Sequence, residues 1–231
     1  MAKPLKVGVI RFPGSNCDFD ALRFFQIYGH NPEFIWHKES KTNFSHDLIV
    51  LPGGFAFGDR FYEEATGSYN IDPAVMALKS PAMEIVRKYA EKGKPILGIC
   101  NGFQILTEAG ILPGKLEKNI SGKFHCNLVK CEITGKSFFH DEEIKGKIVS
   151  IPVAHGHGRY VIDEKTCKEL NSKGQIFLKY LAEDNPNGSC ENIAGVCNDK
   201  GNIFGLMPHP ERIPKEECFI KAIEKYVKRY N

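Results

Sequence analysis

The pentapeptide Gly98-Ile99-Cys100-Asn101-Gly102 sets a cysteine where nucleophilic chemistry is readily built. It follows the apolar run Ile96-Leu97 and precedes Phe103, Ile105, Leu106 and Ala109, which recur at helical spacing. A glycine two residues to either side of a central nucleophile is the pattern of a strand-to-helix elbow, here with sulfur in place of a serine oxygen. So sharp a turn strains the backbone of the central residue, and side chains at the flanking positions would collide. It also sets the sulfur at a helix N-terminus, where backbone N–H groups and the helix dipole favour thiolate over thiol. A buried structural cysteine packed among glycines is the bland alternative; the strand–turn–helix context favours the elbow.

A thiolate nucleophile needs a base and a place for an oxyanion. The base candidate is His209 in Met207-Pro208-His209-Pro210-Glu211-Arg212. Each proline biases the preceding residue toward extended backbone. Residues two apart in an extended segment point the same way, so Glu211 is expected to orient the His209 imidazole. A loop histidine beside a surface glutamate is the common functionless counterpart, and the elbow raises this pair above it. One oxyanion donor is expected from the backbone of Asn101, the residue after the nucleophile. The other is expected from the Gly54 region, where Pro52-Gly53-Gly54 ends the apolar run Leu48-Ile49-Val50-Leu51 and lets backbone approach a ligand. A tight turn with no ligand explains those glycines equally well.

The elements that must hold these stations alternate between strand and helix signals, which predicts an α/β fold with a mostly parallel central sheet flanked by helices. Strands are expected at Val7–Ile10, Glu33–Trp36, Asp47–Leu51 and Lys94–Ile99. Ser15 with Asp18 reads as a capping box opening a helix toward Tyr28, which Gly29 stops. Ser80-Pro81 reads as an N-cap followed by a first-turn proline, with Gly93 ending that helix. In the second half, Asn127–Thr134, Lys147–Val153 and Ile176–Ala182 alternate like antiparallel strands. Ala194–Cys197 and Ile203–Met207 flank a hairpin turn at residues 198–202. A last helix from about Pro214 carries Phe219, Ile220, Ile223, Tyr226, Val227 and Tyr230 on one stripe. Residues 60–79 fit no element and are expected to form a loop or lid-like segment. The 231 residues read as one domain, 1–231, with a smaller antiparallel portion in the second half.

Composition excludes several classes of function. A net charge of +3 without a dense basic run argues against nucleic acid, and no apolar run approaches the ~20 residues of a membrane helix. The N-terminal apolar stretch meets Pro13-Gly14 and reads as a strand rather than a signal core. Eight scattered cysteines without a CxxC suit reduced thiols in a cytoplasm. His125, Cys126 and Cys131 cluster, as do His155 and His157, yet a strand would put Cys126 and Cys131 on opposite faces, so no metal site is expected. No Gly-Lys-Ser/Thr follows Gly53-Gly54-Phe55-Ala56-Phe57-Gly58, so this chain has no visible means of using ATP.

Together, Pro52-Gly53-Gly54, Gly98 to Gln104 and His209-Pro210-Glu211 resemble the class I (triad) glutamine amidotransferase family. Further matching stretches are Phe12 to Asp18, Leu51 to Asp59, Asn119 to Phe124, Ile151 to Tyr160 and Glu191 to Arg212. They resemble in particular the glutaminase subunits that feed amination of formylglycinamide ribonucleotide. The resemblance implies hydrolysis of glutamine by Cys100, His209 and Glu211. It further implies that Gln104, Gly53, Gly156 and His157 line the glutamine pocket. No cofactor is implied on this chain. ATP and Mg are implied on a large synthetase partner, and a small bridging subunit is a further candidate. Residues 60–79 depart from the family pattern, and His157 stands where the family usually has glutamate. Two rivals remain at this stage: a redox chaperone or lone hydrolase with a cysteine elbow, and a non-catalytic subunit with a relic triad.

Overall fold

The computed structural model describes residues 3–55, 77–134, 144–213 and 217–230. The first half runs β1 (Lys6–Arg11), α1 (Asp18–Ile27), β2 (Asn31–Trp36), β3 (Leu48–Leu51), α2 (Ala82–Glu91), β4 (Ile96–Ile99) and α3 (Asn101–Glu108). There follow β5 (Lys115–Glu117), β6 (His125–Ile133), β7 (Ile148–His155), β8 (Arg159–Val161) and α4 (Glu164–Lys173). The chain ends with β9 (Ile176–Tyr180), β10 (Ile193–Cys197), β11 (Ile203–Leu206) and α5 (Glu217–Tyr230).

Nine strands form one sheet in the order β2-β1-β3-β4-β11-β10-β9-β6-β7. Strands β2 through β11 in that order pair in parallel. The antiparallel portion continues the same sheet through β10, β9, β6 and β7. Every residue of β3, β4, β10 and β11 is buried, the continuous apolar character of strands covered on both faces. Helix α2 packs on β4 and buries Ala82, Met83, Ile85, Val86 and Tyr89, while α1 packs on β1 and β2 and buries Ala21, Phe24 and Phe25. In α5 the predicted stripe is buried at Phe219, Ile220, Ile223, Tyr226 and Val227.

Two helix starts differ from expectation. Helix α1 begins at Asp18 with Cys17 as its N-cap and no side-chain cap. Ser15 is engaged elsewhere: its hydroxyl accepts from the Phe12 amide at 3.2 Å, and its backbone bridges to Gly54. Asp18 instead pairs with Arg11 at 2.7 Å. Likewise the residue before α2 is Pro81, in helical geometry, while the Ser80 hydroxyl donates to the His37 carbonyl. In both places another backbone partner outcompetes the cap, three residues back for Ser15 and 43 residues away for Ser80. The small β5–β8 sheet and α4 are additional to the predicted elements. Of the loop expected at residues 60–79, positions 60–76 lie outside the described residues, as does Pro214 at the expected start of the last helix.

Parallel strands present their C-terminal ends at one edge of the sheet, where α/β folds bind ligands. β1 leads there to residues 12–17, β3 to Pro52-Gly53-Gly54, β4 to Cys100 and β11 to Met207–His209. Segments far apart in sequence thus meet at one rim.

Candidate active site

Cys100 sits between β4 and α3 with φ 50° and ψ −105°, a backbone conformation that side chains rarely adopt. The turn is held by its own amide, which donates to the Leu206 carbonyl at 2.7 Å, and by its carbonyl, which accepts from Phe103 and Gln104. The flanking glycines are steric necessities. A Cβ on Gly98 would lie 2.6 Å from Leu106 Cδ1 and 2.7 Å from the Gly102 oxygen, and one on Gly102 would overlap the Leu51 carbonyl. Strained backbone of this kind marks functional sites because the surrounding structure must impose it.

His209 Nδ1 and Glu211 Oε1 are 2.7 Å apart, with both side chains almost completely buried. The expected partnership is present, but its geometry differs from two residues of extended chain. His209 has φ −107° and ψ 81°, and Pro210–Arg212 turn as a short 3-10 helix, which folds the carboxylate back under the ring. The segment is anchored by the His209 amide donating to Pro152 O at 2.8 Å. Glu211 Oε2 has no partner among the described residues, so the carboxylate's hydrogen bonding there is to the imidazole. Burial alone would lower the His209 pKa. The Glu211 carboxylate, together with Cys100 and Cys17, outweighs it and holds the pKa well above the ordinary imidazole value. The imidazolium, a proton donor, is therefore the form this site favours.

The remaining predicted residues gather around this pair. Gly53 lies against the ring: a Cβ there would be 2.8 Å from His209 Cε1. Gly54, at φ 150°, packs on Gly14 and Ser15, and a Cβ would be 2.7 Å from the Gly14 oxygen. Asn101 occupies the first turn of α3, where backbone amides lack intrahelical acceptors. Its side chain donates to Gln104 Oε1 at 2.8 Å, and Gln104 Nε2 donates to the His157 carbonyl at 2.6 Å. Gly156 accepts from the Asn119 amide at 2.9 Å. The turn after β7 is thereby fastened to α3, one side chain from the nucleophile. Asn119 reinforces it, with Nδ2 donating to His155 O and Oδ1 accepting from the Gly158 amide.

Two residues were not among the predicted site: Cys17, near the ring, and Arg212, whose Nη2 donates to the Cys17 sulfur at 3.2 Å. Cys126 is exposed and Cys131 buried on opposite faces of β6, so they share no ligand position.

The chain matches the CobB/CobQ-like glutamine amidotransferase domain family over residues 4–223. It is 44% identical over 215 residues to phosphoribosylformylglycinamidine synthase subunit PurQ of Sulfurimonas denitrificans, spanning 90% of this chain and 91% of that one. The solved structure of PurLQS from Thermotoga maritima superposes on 99% of this chain and 100% of the compared chain, with TM-score 0.80 and 37% identity. A putative GMP synthase subunit from Thermoplasma acidophilum shares the fold, at 12% identity and TM-score 0.67 over 100% of this chain and 97% of that one. With the family pattern running through nearly the whole sequence and its cysteine, histidine and glutamate stations meeting at one rim of the sheet, this chain belongs to the CobB/CobQ-like glutamine amidotransferases.

Proposed function

We propose that this chain is the glutaminase subunit of phosphoribosylformylglycinamidine synthase, hydrolysing glutamine so that a synthetase subunit can use the ammonia. The observation that carries the reading is the strained Cys100 elbow beside a buried imidazole bonded to Glu211 at 2.7 Å. Its similarity to PurQ of Sulfurimonas denitrificans and to a chain of the Thermotoga maritima PurLQS structure supports the specific assignment.

In this mechanism the Cys100 sulfur attacks the side-chain amide carbon of glutamine. The C–O π electrons move to oxygen, which accepts hydrogen bonds from the Asn101 and Gly54-region amides; one such donor contributes about 3 kcal/mol of transition-state stabilisation. Collapse expels ammonia with a proton from the His209 imidazolium and leaves a γ-glutamyl thioester. The now neutral imidazole takes a proton from water, whose oxygen attacks the thioester and releases glutamate. Glu211 keeps the ring oriented through both half-reactions. Gln104, Gly53, Gly156 and His157 form the edges of the glutamine pocket.

The reaction on this chain needs no cofactor. ATP and Mg belong to the large synthetase partner, and a small bridging subunit completes the assembly. The setting is the cytoplasm; among the described residues no helix is long and apolar enough to cross a membrane.

Incubation with glutamine, alone and with the synthetase, tests the reading. Glutamate release that is slow alone and rises with the partner is expected. Absence of turnover under both conditions would mark a relic triad, and thiol oxidation without turnover would favour the redox rival.

A further inference from the structure

The side chains around the proposed base extend beyond the triad. Cys17 is 3% exposed. Its sulfur lies within 4.8 Å of a His209 ring nitrogen and of a Glu211 carboxylate oxygen. A Cβ on Gly53 would meet that sulfur at 3.1 Å and His209 Cε1 at 2.8 Å, so thiol and ring share one niche that only glycine leaves open. The thiol is itself fixed: it donates to Asn16 Oδ1 at 3.1 Å and accepts from Arg212 Nη2 at 3.2 Å. The same guanidinium donates through Nε to Asp20 Oδ2 at 2.9 Å. Asp20 belongs to the first turn of α1, and Arg212 follows Glu211 directly. Two hydrogen bonds thus clamp the start of α1 to the short segment that carries both the imidazole and its carboxylate.

We propose that Cys17 and Arg212 are positioning residues that set the orientation of the His209 imidazole. The proposal rests on the reading of His209 as the base. Burial pushes the Cys17 thiol up, so it packs on the ring as a neutral group. Arg212 holds that sulfur in place through its own 3.2 Å hydrogen bond and its tie to Asp20. Cysteine, histidine and glutamate are also ligand types for a soft divalent ion. Here a guanidinium 3.2 Å from the sulfur puts positive charge where such an ion's charge would fall, which favours the positioning role.

The test compares Cys17→Ala, Cys17→Ser, Arg212→Gln and Arg212→Lys in the full chain assembled with its synthetase. Misorientation by a fraction of an ångström should lower the glutamine kcat of Cys17→Ala and Arg212→Gln about tenfold, with KM within about twofold. Synthesis from added ammonia should stay intact. Cys17→Ser and Arg212→Lys, which keep the contact or the charge, should recover most of the loss. A second readout needs no glutamine turnover: the rate at which a neutral haloacetamide alkylates Cys100, followed by peptide mass across pH. It should fall in Cys17→Ala and recover in Cys17→Ser. Unchanged kcat and alkylation would overturn the proposal. So would equal damage in Cys17→Ser and Cys17→Ala accompanied by a lowered Tm, which would mark plain packing. If His209→Asn kept full glutamine turnover, the base assignment itself would fail, and the alkylation rates would still report whether Cys17 and Arg212 act on the ring.

Discussion

Cys100→Ala is expected to reduce glutamine-dependent synthesis by at least about a thousandfold, because no other group can form the acyl intermediate. Synthesis from added ammonia by the assembled enzyme should be unchanged, since the synthetase chemistry needs no sulfur from this chain. Alanine keeps the Cβ and the strained turn, and the amide of residue 100 can still donate to Leu206 O, so the fold should persist. Steady-state assays with each nitrogen source check this. Glutamine use surviving in the variant would move the nucleophile elsewhere; loss of both activities would point to failed assembly.

His209→Asn is expected to lower glutamine kcat on the order of a thousandfold, within the range that a positioned acid–base group contributes. The loss should fall on kcat rather than KM, because the proton transfers occur only on the way through the transition states. Glu211→Gln should be intermediate. An amide can still contact Nδ1, but it removes the largest of the contributions that offset burial and favour the imidazolium. A glutamine variant as active as wild type would show that the 2.7 Å contact is incidental.

The elbow was legible because its requirements are local and steric. Glycines at positions 98 and 102 are demanded by atoms within a few residues or on the adjacent strand, and their spacing around cysteine is visible in the sequence. The pairing of His209 with Glu211 was legible in outcome but not in geometry. Extended alternation predicts the same neighbours that the turn at Pro210 actually produces. Cys17 and Arg212 stand in the sequence only as members of longer motifs, with no chemical role of their own. Their role depends on a contact across 195 positions, which no local periodicity encodes.

Caps and short elements failed for related reasons. Ser15 and Ser80 have the right side chains to cap a helix, yet the Ser15 hydroxyl is taken by the Phe12 amide in the preceding turn and the Ser80 hydroxyl by the distant His37 carbonyl. Helix α4 buries only Leu170 among its ten residues, so it carries little apolar periodicity. Its caps did carry a signal: Asp163 accepts from the Thr166 amide, and Gly174 ends it at φ 69°. The three-residue strands β5 and β8 are too short for alternation to register.

The central claim is that the sulfur at position 100 becomes covalently bonded to the glutamyl group. Rapid acid quenching of the assembled enzyme during glutamine turnover, followed by peptide mass analysis, tests it most directly. A γ-glutamyl adduct on the peptide containing Cys100, formed and consumed on the timescale of turnover, is the predicted result. Glutamate appearing while that peptide stays unmodified, or an adduct carried by Cys17, would contradict the account.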